Sequence, residues 1–401
     1  MKILKDSLVY LLGEMFAKAM PFLMLPYLTR KLGVAGFGEL SFYQACLAVL
    51  LIVFGLGQDA AITRYCHFYG QRNLPQLIQA AYCYTAVLGT LALLWVWSAQ
   101  SLIWISVIAA AMVQAMLSVQ LALRQCRKQA IAYTVIQCVS GLLVSFLTIL
   151  LLEWSENAPL EKRFVAIVLG NALLVLGAYW AFKREKQGRQ GKWRFRQLVL
   201  NLRYLLWIGL PLLLHQFSGV FKGQFDRLLL HQQFGANDLG VYAAGYQVAA
   251  IWGVLLMAVN KATVPYFYQA LKSGRLNAIK VRQGSLWSLW CVPVPVLCVL
   301  LLPEKLFLWL LGAEFVGIKY FIGCFTLFFS LNIPYFILVN FLFYHAQNSV
   351  ISRISLISAA VYALVLFVVV SLGNVTYIPF AALSGSLIVL PLLYRSVRTP
   401  I

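Results

Sequence analysis

A chain of 401 residues that is 62% hydrophobic and only 11% charged carries more apolar surface than a soluble domain can bury. Its mean hydropathy of +0.82 therefore excludes a soluble enzyme. The formal net charge of +20 would suggest nucleic acid in a soluble protein, but here the distribution of basic residues along the chain accounts for it, and no nucleic-acid partner is expected.

Apolar blocks long enough to cross the roughly 30 Å hydrocarbon core, which takes about 20 helical residues, recur from end to end. The hydropathy predicts an all-α polytopic membrane protein with twelve spans: 8–29, 38–57, 77–98, 101–123, 131–152, 164–182, 204–222, 239–260, 282–302, 318–343, 351–372 and 376–395. Three spans contain residues unusual in lipid: Glu14, Lys18, Pro21 and Pro26 in the first, Pro293 and Pro295 in the ninth, Asn332 and Pro334 in the tenth. Neighbouring helices or a wet cavity must satisfy the backbone groups that such residues free. The first block is charged and lacks a small-residue cleavage site, so it is expected to stay as a helix and not to be removed as a signal peptide.

An even number of spans puts both termini on one side of the membrane. With charges within about three residues of a span edge counted with the adjoining loop, the segments on that side hold 23 of the 32 basic residues and 3 of the 12 acidic ones, whereas the opposite loops hold 8 of each. Lys and Arg in short loops are retained in the cytoplasm, so both termini are expected there, in a bacterial inner membrane. The eight Cys and four His residues are scattered without ligand spacing, and no metal site is expected.

The longest charged connector, 183–203, separates an N-terminal six-helix lobe (1–182) from a C-terminal one (204–401). Its later part mixes Trp193, Phe195, Leu198, Val199 and Leu202 with Arg residues; it reads as a solvated topogenic loop or as a segment lying along anionic headgroups. The halves also echo one another. LTRKLGVAGFGELSFY (28–43) aligns with LLHQQFGANDLGVYAAG (229–245), so that Gly33 matches Gly235, Phe37 matches Leu239 and Gly38 matches Gly240 at an offset of 202 residues. Six being even, the two copies have the same orientation, a parallel repeat that lets two lobes rock about a central cavity.

Several charges fall where transport would use them. Lys18 is the one basic residue placed deep in a span, with Glu14 one turn earlier on the same face. Intramembrane charges usually face the bundle interior and act there, although this pair could also simply neutralise itself. Span seven holds His215, a candidate for titration or for packing, and then Lys222, Asp226 and Arg227 toward its periplasmic end, either as a gate or as a cap. At the cytoplasmic mouth Arg64, Arg124, Arg127 and Lys261 could attract an anion, although positive-inside retention alone would place them. Tyr43, Tyr242 and Tyr246 are expected to anchor at the interface or to stack on sugars. There is no phosphate-cradling glycine loop and no paired carboxylates set for acid and base work, so no enzymatic activity is expected.

The run from Tyr27 through LTRKLGVAGFGELSF to Gly55, Gly57 and Arg64, and the Asp226-Arg227 pair followed by Gly235, Gly240, Tyr242 and Ala243, resemble the openings of the two halves of polysaccharide-type lipid flippases. Arg124, Arg127 and Tyr133 sit where such proteins often carry a basic cytoplasmic loop. The resemblance implies the multidrug/oligosaccharidyl-lipid/polysaccharide exporter fold and its Wzx-like branch, whose members move undecaprenyl-pyrophosphate-linked oligosaccharides (O-antigen, common antigen or capsule units) from the cytoplasmic to the periplasmic leaflet by alternating access. It further implies a cavity lined by the first and seventh helices, membrane lipids as surroundings, and glycan polymerase and chain-length machinery as partners. No cofactor is expected beyond H+ or Na+ coupling, for which Glu14, Asp59 and Asp226 are the acidic positions. An ion-coupled exporter of a small drug or metabolite is the alternative on the same fold.

Overall fold

In a computed structural model, described for residues 2–70, 73–98, 100–155, 157–184 and 195–398, the apolar blocks form helices and no strand occurs among the described residues. In chain order these are α1 (Lys2–Gly55), α2 (Gln58–Tyr69), α3 (Leu74–Trp97), α4 (Leu102–Cys126), α5 (Ala130–Trp154), α6 (Pro159–Arg184), α7 (Phe195–Lys272), α8 (Ala278–Ser288), α9 (Pro293–Leu301), α10 (Glu304–Leu311), α11 (Ile318–Ser330), α12 (Asn332–Tyr344), α13 (Asn348–Ser371) and α14 (Pro379–Ser396).

Ten apolar helical stretches among the described residues are long enough to cross a membrane. The two longest are 13–69 and 223–272, and both α1 and α7, to which they belong, are broken by a glycine. Gly33 has φ 68 and ψ −176, and Gly235 has φ 84 and ψ −177. This backbone region is essentially closed to residues with a Cβ. The sequence echo at 202 residues is thus the same break made twice, and the stretches 28–43 and 229–245 are helix, break and helix, with no loop.

Spans nine and ten are discontinuous near their prolines and asparagine, whereas Pro21 and Pro26 lie in unbroken helix of α1. Span nine is α8, a 3₁₀ turn at Leu289–Cys291 and α9, with Pro293 in the first turn of α9, where its missing N–H costs little. Span ten is α11 and α12, joined at Leu331. Two further helices lie in stretches expected to be loops. In α2, the side chains of Ala61, Ile62 and Cys66 are buried, so 58–69 packs as an amphipathic helix. The other is α10, with Phe307 and Leu311 buried.

The chain divides into two compact units whose borders cut through helices: residues 1–21 with 43–224, and 22–42 with 225–401. The linear borders at 182 and 204 are not where contacts divide. Residues 195–203 also begin α7 and are not part of a loop; their Leu198 and Leu202 pack against the core of the first unit. Residues 185–194 of the connector lie outside the described residues.

Within the first unit, α2, α3 and α4 meet through Ile62, Leu77, Ala80, Ala81, Val119 and Leu123. Gly89 accepts Met112 and Gly170 accepts Val144 at distances a Cβ would not allow, the close packing through small residues that lipid-embedded helices use. Where α1 ends, the Gln58 Nε2 donates to the carbonyls of Phe54 and Ala81, both at 3.3 Å, and to Thr85 Oγ1 at 3.2 Å. This satisfies polar groups that lipid could not. Within the second unit, α8, α12 and α14 share a core of Ala278, Val281, Phe341, Leu342 and Leu393, and Ser358 Oγ donates to the Gly385 carbonyl at 2.9 Å.

Candidate functional site

The first unit holds the intramembrane pair. One helical turn separates Glu14 from Lys18, and Lys18 Nζ donates to Glu14 Oε1 at 2.9 Å, with the two side chains 36% and 40% exposed. This stretch of α1 packs on α5, since a Cβ on Gly13 would strike Thr134 and one on Gly141 would strike Met20. Opposite charges at i and i+4 offset part of the cost of placing either in an apolar helix, and both side chains stay partly exposed.

Elsewhere in this unit the candidate arginines have protein partners. Arg124 is buried, and its guanidinium donates to Gln129 Oε1 at 2.8 Å and to the Ala178 carbonyl at 3.1 Å, tying α4 to α6. Arg127 lies 4.7 Å from the Phe182 ring centroid. Arg64 on α2 sits 4.8 Å from the ring of Phe68 and donates to Tyr204 Oη at 3.4 Å. The Arg64 and Tyr204 contact joins a cluster in which Tyr65 and Tyr69 also pack against Tyr204. Asp59, in the first turn of α2, is exposed. Tyr43 packs edge-on against Trp104 and Phe164.

The second unit buries its charged pair. Asp226 and Arg227 are 6% and 9% exposed and lie inside α7, two and a half turns before the break at Gly235, so neither caps a helix end. The Asp226 carboxylate accepts from the Tyr242 hydroxyl through Oδ2 and from the Arg227 N–H through Oδ1 at 2.8 Å. The Arg227 guanidinium lies 4.9 Å from the Tyr246 ring centroid. Tyr242 is fully buried, edge-on against Phe321 and Phe325. The expectation of an interfacial anchor or sugar platform at Tyr242 is therefore corrected: α7 folds back past its own break and carries Tyr242 onto Asp226. Lys261 is exposed on α7. The side chains of His215 and Lys222 lie outside the described residues.

Three polar features of the structure were not picked out from the sequence. His231 Nε2 meets Glu39 Oε1 at 3.0 Å and stacks on Phe42 at 4.1 Å. Arg163 donates to Thr148 Oγ1. A cavity of about 460 Å³ is lined by Leu23, Pro26, Tyr27, Arg30 and Lys31, and Arg30 also donates to the Trp309 carbonyl at the end of α10. The spacing of those five residues along one helix face was the available signal. Among the described residues no group of three or more His, Cys, Asp or Glu side chains could hold a metal ion.

Known proteins share this layout. A protein of the Lsg locus of Haemophilus influenzae is 41% identical over 394 residues, covering 98% of either chain, and an uncharacterized membrane protein of the same species is 42% identical over 395 residues, covering 98% of this chain and 97% of its own. Among solved structures, a mutant of the Vibrio cholerae MATE transporter VcmN superposes with a TM-score of 0.64 at 16% identity, covering 98% of this chain and 96% of that one. An inward-facing multidrug resistance MATE family transporter of the MOP superfamily gives 0.66 at 13% identity, covering 98% and 94%. Residues 3–271 match the family described as polysaccharide biosynthesis protein. By that match the chain belongs to the polysaccharide biosynthesis protein family, as a multi-pass membrane protein that shares the fold of these MATE transporters.

Proposed function

We propose that the protein is a flippase that carries undecaprenyl-pyrophosphate-linked oligosaccharide from the cytoplasmic to the periplasmic leaflet of a bacterial inner membrane, with both termini cytoplasmic. The observation that carries this reading is the partly exposed Lys18 side chain inside the apolar first span of a chain from a polysaccharide-biosynthesis family. Each hydroxyl dragged unsatisfied through hydrocarbon costs several kcal/mol, and a pyrophosphate costs more. A catalyst must therefore give the headgroup a wet, cationic path while the isoprenoid tail stays in lipid. In this reading Lys18 supplies the cation, and Glu14 keeps it tolerable in the empty state. Polymerase and chain-length machinery would receive the product.

Transport against a gradient needs a coupling ion, and Glu14, Asp59 and Asp226 are the carboxylates that could take up H+ or Na+. Of these, Asp226 is the most secluded, held by Tyr242 within the second unit. The test is accumulation of periplasm-facing lipid-linked oligosaccharide in a deletion strain with and without the gene restored. Unchanged surface glycan on deletion, in a strain without a second copy, would count against the reading. The multidrug transporters of the same fold favour one alternative, an ion-coupled exporter of a small drug or metabolite. A sensitivity screen with and without the ion gradient separates the two.

A further inference from the structure

Leu23, Pro26, Tyr27, Arg30 and Lys31 recur at i, i+3, i+4, i+7 and i+8 and so share one face of α1, where they line the cavity of about 460 Å³. Along roughly 12 Å of helix that face passes from apolar (Leu23, Pro26) through amphipathic (Tyr27) to doubly cationic (Arg30, Lys31), ending at the Gly33 break. Both cations are exposed. Arg30 spends one donor on the Trp309 carbonyl, and a guanidinium has five. Glu314 lies beside Gly33, with its Oε2 3.2 Å from where a Cβ would stand.

The second half of the chain serves as an internal control. At the same offset of 202 residues it ends its helix with Gln232 and Gln233, also exposed, ahead of the same break at Gly235. The local fold is made without charge there, so helix, break and helix do not demand the cations of the first half. On the side away from the basic loops, positive-inside retention does not demand them either.

We infer that Leu23, Tyr27, Arg30 and Lys31 form a subsite for the pyrophosphate end of a prenyl-type lipid, on the stretch of α1 just before the Gly33 break, separate from Lys18. This rests on the flippase reading and adds a trans-side position to it. The cationic end would take phosphate oxygens through charge-assisted hydrogen bonds, and the apolar end would take the first isoprene units.

The test is equilibrium binding of labelled farnesyl pyrophosphate to the full-length protein in neutral-lipid nanodiscs, with farnesol and inorganic pyrophosphate as competitors. The variant R30Q/K31Q writes into the first half the residues that the second half already tolerates. It should weaken farnesyl pyrophosphate binding at least tenfold, and farnesol should not compete. K31Q alone, which leaves the Arg30 bond to Trp309 intact, should weaken it severalfold and serves if the double variant is unstable. Inorganic pyrophosphate competing as well as the prenyl form would show that the cations take a free anion and would overturn the lipid as its source. Unchanged affinity in both variants would overturn the subsite. Loss of binding in the variants combined with normal glycan export on gene deletion would keep the subsite and overturn the flippase reading instead.

Discussion

Gly38 and Gly240 lie back to back: a Cβ on Gly38 would strike the Ala236 carbonyl, and a Cβ on Gly240 would strike the Val34 carbonyl. Val34 and Ala236 are themselves 202 residues apart, as are the two glycines, so the contact is reciprocal. It joins the helices that follow the two breaks, both within the second compact unit. Backbones can approach this closely only where both crossing residues lack a side chain.

Gly38→Ala or Gly240→Ala should therefore push the helices apart and cost about 1–3 kcal/mol, the usual penalty for overpacking. Gly177→Ala, in α6 where nothing lies within 4 Å of the added Cβ, should be neutral or stabilising through better helix propensity. Thermal unfolding of the detergent-solubilised protein compares the three. Equal midpoints for Gly38→Ala and Gly177→Ala would remove the crossing as a constraint.

At the breaks themselves the cost is conformational. Gly235 has open space around it, yet with φ 84 and ψ −177 a Gly235→Ala variant should lose about 1–3 kcal/mol through backbone strain alone. Gly33→Ala adds the crowding of Glu314 at 3.2 Å and should be at least as damaging. Expression level and melting temperature of each variant report the loss.

The buried Asp226 and Tyr242 pair predicts an asymmetry between two conservative changes. Tyr242→Phe removes a donor and leaves the carboxylate buried with one partner fewer, a loss of about 1–3 kcal/mol. Asp226→Asn keeps an oxygen for Tyr242 while discarding the charge, so stability should be closer to wild type. If Asp226 also couples transport to an ion, Asp226→Asn should abolish the dependence of export on the ion gradient, read in a vesicle uptake assay. A gradient response like that of wild type would confine Asp226 to a structural part.

For the Glu14 and Lys18 pair, Lys18→Ala should lower glycan export at unchanged protein abundance, and Lys18→Arg should keep part of it. Because Lys18→Ala also takes the opposite charge away from the Glu14 carboxylate, the double variant E14Q/K18A is the sharper tool: it restores electrical neutrality to the span but not the cation. Export should stay low in the double variant. Recovery there would mean that the pair serves insertion only.

Arg124→Ala should destabilise the first unit by about 1.5–3 kcal/mol, the range for hydrogen bonds to charged groups, because it cuts the ties to Gln129 and to the Ala178 carbonyl. Limited proteolysis of membranes, following cleavage between α4 and α6, would register it.

Spans and repeat are properties of contiguous sequence, and the amino-acid sequence by itself determined them. Twenty apolar residues in a row must cross lipid as a helix, because lipid offers no partner to an open peptide group. Gly33 and Gly235 mark the repeat because only glycine adopts their backbone angles. Tertiary structure alone decided which polar side chains are engaged within the fold. Nothing local shows that Arg124 bonds across to Ala178, or that Tyr242 returns to Asp226 from sixteen residues on. The basic face of α1 was legible in its spacing, but its cavity was not, since a cavity is made by what neighbouring helices leave empty. Helices α2 and α10 were hidden for a similar reason: each is too short or too polar to register as a span, and only the surfaces they pack against make them stable.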